Sequence, residues 1–106
     1  MGRREHIIKK VRKFRKEASK EIPIEKLILF GSQATGKAKE YSDVDLIVVS
    51  RIFKEMKFFE RPVRLTPFLD YEYPVDFLCY TPDEFDKLSR QITIVLEAVR
   101  EGIEIK

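Results

Sequence analysis

Near the start of the chain, Ile7, Ile8, Val11, Phe14 and Ala18 recur at steps of three and four, with lysines and arginines between them. That period predicts an amphipathic helix with one apolar stripe. Pro23 ends the pattern, and Lys26 to Phe30 then reads as a short buried strand. Gly31 to Gly36 is rich in turn-forming residues, and a polar stretch follows to Ser42. From Val44 to Ser50 the residues are apolar on both faces of a strand, as in a sheet covered on two sides. Ile52, Phe53, Met56 and Phe59 suit a helix, which Pro62 and Pro67 interrupt, so residues 52 to 70 form a mixed region.

Tyr73 and Pro74 lead into a third strand, Val75 to Tyr80. Thr81 then stands as an N-cap, with Pro82 in the first helical position and Glu84 completing a capping box. That helix runs to about Ser89. A last helix spans about Thr93 to Glu101 and stops at Gly102, a natural C′ residue. Ile103 to Lys106 can add a small edge strand. The order helix, strand, strand, mixed region, strand, helices predicts an α/β (α+β) fold with one small sheet. No internal repeat or linker divides the 106 residues, so residues 1–106 are expected to form a single domain.

Composition adds limits. Hydrophobic residues make up 43% of the chain and charged residues 37%, enough for a core under a solvated surface. No apolar run approaches the roughly 18 to 20 residues of a membrane span, and the charged N-terminal segment does not suit a secretory signal. Cys79 has no cysteine partner, and one cysteine with one histidine, His6, makes a poor zinc site. The expected location is cytoplasmic. The first 20 residues carry nine lysines and arginines against Glu5 and Glu17, while the rest carry twelve against sixteen acids. A basic face of that kind can meet nucleic acid, although the solvated side of the first helix accounts for it more simply. The absence of asparagine, with glutamine only at Gln33 and Gln91, fits a thermophile's avoidance of heat-labile side chains. Cys79, Tyr71, Tyr73, Phe58 and Phe59 are expected mainly as core residues, the four aromatics having an adenine pocket or partner surface as the alternative. His6 is expected to be exposed and uninvolved in catalysis.

Three segments carry candidate chemistry. Asp43 and Asp45 stand two apart at the head of an apolar strand, so they project from one face with α-carbons about 7 Å apart. Two anions placed there repel and are costly unless compensated. A divalent cation resolves the conflict, and carboxylate oxygens suit Mg²⁺ or Mn²⁺. Asp76 repeats the theme one residue inside the other apolar strand. If the two strands are neighbours, three carboxylates can hold a pair of metal ions that clamp an in-line phosphoryl displacement. Gly31 directly after a strand permits a sharp turn close to a ligand, and the amides and Ser32 hydroxyl beyond it can donate to phosphate oxygens.

Gly31 to Lys37 also matches most of a phosphate-binding G-x-x-x-x-G-K loop. However, Ala38 replaces the metal-binding hydroxyl, and residues 39 to 42 lack the apolar face of the helix that should follow. The ATPase reading is therefore set aside.

Gly31-Ser32, the Asp43-x-Asp45 pair and the later Asp76 resemble the signature of the DNA polymerase β-like nucleotidyltransferase superfamily. Gly-Ser-Gln-Ala-Thr-Gly and Ser-Asp-Val-Asp-Leu are most similar to the minimal nucleotidyltransferases, whose common form is G-S-x-A-R-G followed by S-D-x-D-L. The resemblance covers about residues 26 to 80. It implies a small mixed sheet flanked by helices and two Mg²⁺ ions, or Mn²⁺, bound by Asp43, Asp45 and Asp76. It also implies Gly31 and Ser32 on the β- and γ-phosphates of ATP, and Asp76 assisting deprotonation of the acceptor hydroxyl. Thr35 departs from the pattern, standing where an arginine is usual, with Lys37 and Lys39 as candidate replacements. By the same resemblance the partner is a HEPN-domain toxin, and the chain is its antitoxin, moving AMP from ATP to a toxin tyrosine. Neutralisation by contact alone and transfer to RNA or a small molecule are the alternatives. Nucleic acid is not the expected partner, and the oligomeric state is left open.

Overall fold

The computed structural model describes residues 2–37 and 43–106. The stretch 38–42 lies outside the described residues. It includes Ala38, Lys39 and Ser42, on which part of the motif reading rests.

The first helix, α1 (Arg3–Ala18), buries Ile7, Val11, Phe14 and Ala18, the stripe that the sequence periodicity predicts. The strand β1 (Lys26–Phe30) follows. A four-residue helix α2 (Ser32–Thr35) occupies the segment expected to be a turn, bracketed by Gly31 and Gly36 at positive φ. The strand β2 (Val44–Val49) is buried at every position but Asp45. Beyond it, residues 51 to 68 form short 3-10 turns and the helix α3 (Arg61–Leu65). Pro62 stands at the start of α3 and Pro67 at the start of the last 3-10 turn. Each proline lacks the N–H that a continuing helix needs, so one long helix breaks into pieces.

The strand β3 (Val75–Tyr80) and the helix α4 (Pro82–Leu88) agree with the expected limits. The Thr81 hydroxyl accepts from the Glu84 amide at 3.2 Å, and Glu84 accepts from the Thr81 amide at 2.8 Å, the reciprocal bonds of a capping box. The helix α5 (Ile94–Glu101) is capped by Thr93 and followed by β4 (Ile103–Glu104). Gly102 ends α5 but not through the left-handed conformation of a C′ glycine: its φ is −81° and its ψ 175°. Space is what it supplies, because a Cβ there would meet the Ala98 carbonyl, Ile28 Cγ2 at 2.8 Å and the Leu29 carbonyl at 2.8 Å.

The four strands form one mixed sheet in the order β3-β2-β1-β4. β1 runs antiparallel to β2 and β4, and β2 runs parallel to β3. Alternation along the strands sends Leu27, Leu29, Val44, Leu46, Val48 and Cys79 to one face, where α1 covers them. Ile28, Phe30, Ile47 and Val49 go to the other, against Val95 and Ala98 of α5, with Phe85 and Leu88 of α4 alongside. Burying each large aliphatic side chain stabilises the fold by about 1.5–3 kcal/mol. Arg15 fastens α1 at its far end by donating to the Ile105 carbonyl at 2.8 Å and the Ile24 carbonyl at 3.0 Å. No described helix is long and apolar enough to cross a membrane.

The side chains singled out beforehand divide. Cys79 is buried in the core, and Tyr73 packs half-buried against it. His6 is half-buried rather than open, with Nε2 2.9 Å from the Glu72 carboxylate. Phe58, Phe59 and Tyr71 are 57%, 72% and 71% exposed, so they are not core residues. The broken helical region is too short to present a continuous stripe, which leaves the two phenylalanines on its outer side. None of the four aromatics lines the cleft described below.

Candidate active site

The candidate site forms where the end of β1 meets the beginnings of β2 and β3. Asp45 is paired in register with Phe30 on one side and with Asp76 on the other. Neighbouring strands lie about 4.8 Å apart, so the parallel pairing sets two carboxylates side by side. Strand alternation turns Asp45 and Asp76 to the face that carries α4 and α5, away from α1. Asp43, two residues before Asp45, belongs to the same side and comes within hydrogen-bonding reach of Asp76.

The electrostatics follow from that crowding. Burial pushes the Asp45 carboxyl above the ordinary aspartate range, and the charges of Asp76 and then Asp43 push it further. Asp76 is raised by burial, then by its hydrogen bond with Asp43 and by the Asp43 charge. Among the described residues, no basic side chain figures in the influences on either group. Carboxylates left in this state favour a proton or a cation, and a hard, oxygen-only donor set suits Mg²⁺ or Mn²⁺. Among the described residues no three acidic, histidine or cysteine side chains converge on one ion position. Asp43 and Asp76 are in contact, and both charges act on Asp45 beside them.

Gly31 completes the wall next to Asp45. Its φ is +74°, and a Cβ built on it would run into the Asp45 carboxylate. The position is therefore restricted twice, by backbone conformation and by the closeness of the acid. The turn leads into Ser32, and the chain folds back so that the Lys37 amide donates to the Ser32 carbonyl at 3.1 Å. A cleft of about 410 Å³ opens here, lined by Gly31, Ser32, Thr35, Lys37 and Asp45 on one side. Its opposite wall is the α5 face bearing Ile94, Glu97, Ala98 and Glu101. Asp43 and Asp76 stand next to Asp45 rather than in the lining of that cleft.

The α5 wall had no motif to announce it. Ile94, Glu97, Ala98 and Glu101 follow helical spacing, but the spacing does not tell which partner that face meets. No sequence pattern marks Arg61 either. Its guanidinium donates to the Cys79 carbonyl at 3.1 Å and to both Glu84 oxygens at 2.6 and 3.3 Å. It lies between the rings of Phe53 and Phe58, 5.8 and 5.5 Å from their centroids. This buried cation joins α3, β3 and α4 at the end of the sheet away from the carboxylates.

A mixed sheet with acids on adjacent strands and a glycine-serine turn facing them defines a nucleotidyltransferase type of fold. Comparisons with known proteins agree. Residues 8–101 match the family described as nucleotidyltransferase domain. The Haemophilus influenzae protein named probable protein adenylyltransferase MntA is 32% identical over 79 residues, covering 71% of this chain and 68% of that protein. A crystal structure from Sulfolobus solfataricus, assigned as a nucleotidyltransferase, superposes with a TM-score of 0.69 over 95% of this chain and 80% of that one. At 24% identity that likeness speaks for the fold. The chain belongs to the nucleotidyltransferase domain family, as a member of its minimal, polymerase β-like type.

Proposed function

We propose that this protein transfers AMP from ATP to a hydroxyl group of a partner protein, a tyrosine of a cognate HEPN-domain toxin, and thereby acts as its antitoxin. The observation that carries the reading is the register pairing of Asp45 with Asp76, with Asp43 in reach, beside the Gly31-Ser32 turn. The name of the Haemophilus influenzae relative, a probable protein adenylyltransferase, supports a protein acceptor.

In this reading Asp43, Asp45 and Asp76 hold two divalent ions, Mg²⁺ or Mn²⁺. Bound there, such ions neutralise phosphate charge and acidify the attacking hydroxyl. The Ser32 hydroxyl and the amides of the turn hold the β- and γ-phosphates. Asp76 serves the acceptor side and takes the hydroxyl proton as a general base. The acceptor oxygen forms a bond to the α-phosphorus, the bond from that phosphorus to the bridging oxygen breaks, and pyrophosphate leaves with the electron pair.

The test is label transfer from α-labelled ATP to the co-purified partner. Transfer is expected with the native chain and is lost in Asp43→Asn and in Asp76→Asn. Transfer that persists in both variants overturns the mechanism. A triple carboxylate variant that still neutralises the toxin fully assigns the role to contact instead.

A further inference from the structure

Thr35 stands where the motif this chain resembles, G-S-x-A-R-G, usually has an arginine, so no cation is supplied from that position. Thr35 lines the cleft, but its hydroxyl turns back toward the Ser32 carbonyl, 3.5 Å away. The next residue, Gly36, adopts the left-handed conformation, with φ at +80°, and reverses the chain. The Lys37 amide then bonds to the Ser32 carbonyl at 3.1 Å, which fixes the lysine backbone against the glycine-serine turn. Lys37 is the one basic residue lining the cleft among the described residues, and Asp45, Glu97 and Glu101 line it too.

We infer that Lys37 is the triphosphate-binding cation of this protein, taking over from a neighbouring position the task of the missing arginine. The inference rests on the cleft being the nucleotide site. The signs of its walls set the orientation: Glu97 and Glu101 repel phosphate from the α5 side, while Lys37 and Ser32 attract it to the other. An ammonium on a flexible stem supplies a point charge to the outer phosphates and does not need the planar fork of arginine. Lys37 is thus a binding and positioning residue, acting on triphosphate affinity more than on the chemical step.

The experiment is calorimetric titration of the full chain, in Mg²⁺, with α,β-methylene ATP and separately with AMP. Lys37→Met is expected to weaken the triphosphate about tenfold or more, with AMP affected far less. Lys37→Arg retains the affinity, and Lys37→Met combined with Thr35→Arg regains it by returning the cation to its usual place. In turnover the loss appears in KM for ATP, with kcat nearly unchanged. Native triphosphate affinity in Lys37→Met, or an equal loss for both ligands, overturns the role of the lysine. A native chain that does not bind the triphosphate at all overturns the nucleotide site together with it. Native binding that persists in Lys37→Met removes the lysine assignment alone.

Discussion

Asp45 and Asp76 stand opposite each other in register on parallel neighbouring strands, and both carboxyls are held above the ordinary aspartate range. Apposed acids oppose folding at neutral pH, so the site is kept at a cost in stability. Asp45→Asn and Asp76→Asn are therefore expected to raise the melting temperature in EDTA by a few degrees. In the same variants nucleotidyl transfer falls by at least about a hundredfold, on the scale of a lost transition-state charge contact. Thermal melts beside a transfer assay decide the matter, and variants that melt lower than the native chain contradict it.

The same pair sets a pH dependence. A carboxyl raised in the folded state takes up protons on folding, so its effect on stability improves as pH falls from neutral toward the unfolded value of 3.8. Glu84 is shifted the opposite way, first by its hydrogen bond to Arg61, and Asp70 and Glu72 are lowered by theirs to Lys10. Their contributions are complete above about pH 4.5, the ordinary glutamate value, and are lost as pH falls through the depressed range. Stability without metal is expected to peak on the acid side of neutrality. Chemical denaturation across pH 4 to 8 tests this, and the rise from neutral toward the peak flattens in Asp45→Asn.

Gly31 and Gly36 offer a matched pair, at φ of +74° and +80°. A Cβ at Gly36 meets nothing within 4 Å, whereas at Gly31 it meets the Asp45 carboxylate. Gly36→Ala is expected to cost about 1 kcal/mol from backbone strain alone. Gly31→Ala should cost about 2–3 kcal/mol and also displace the acid. Urea unfolding gives the stabilities, and transfer activity falls more in Gly31→Ala than the stability difference explains.

Arg61 is buried, while its partner Glu84 is 42% exposed in its side chain. Arg61→Met leaves the Cys79 carbonyl without its donor and opens the space between Phe53 and Phe58. A loss of about 2–4 kcal/mol is expected. Glu84→Gln should cost less, since the amide oxygen still accepts and solvent reaches the pair. Equal losses would mean that the charge of Glu84, and not the ring-to-ring bridge, is what Arg61 contributes.

Divalent metal supplies a further check. Mg²⁺ or Mn²⁺ is expected to raise the melting temperature of the native chain by mass action. Asp43→Asn and Asp45→Asn should respond much less. EDTA abolishes transfer and added Mg²⁺ restores it; transfer that is indifferent to EDTA contradicts the carboxylate mechanism.

Much was legible in the linear order of residues because the signals were local. The period of Ile7, Val11, Phe14 and Ala18, the apolar runs at residues 26–30, 44–49 and 75–80, and the Thr81-Glu84 cap each report on their own few neighbours. The acids at 43, 45 and 76 were visible as charges misplaced in apolar strands. The packing that keeps Phe58, Phe59 and Tyr71 outside, and that makes Gly102 a matter of space rather than of φ, involves residues distant in sequence. The sequence by itself determined the elements, the family motif and the candidate donors. Only the tertiary structure decided that β2 and β3 lie parallel with Asp45 against Asp76, and that α5 and Lys37 both line the cleft. Register and the pairing of faces depend on contacts between distant segments, and no short-range pattern encodes them.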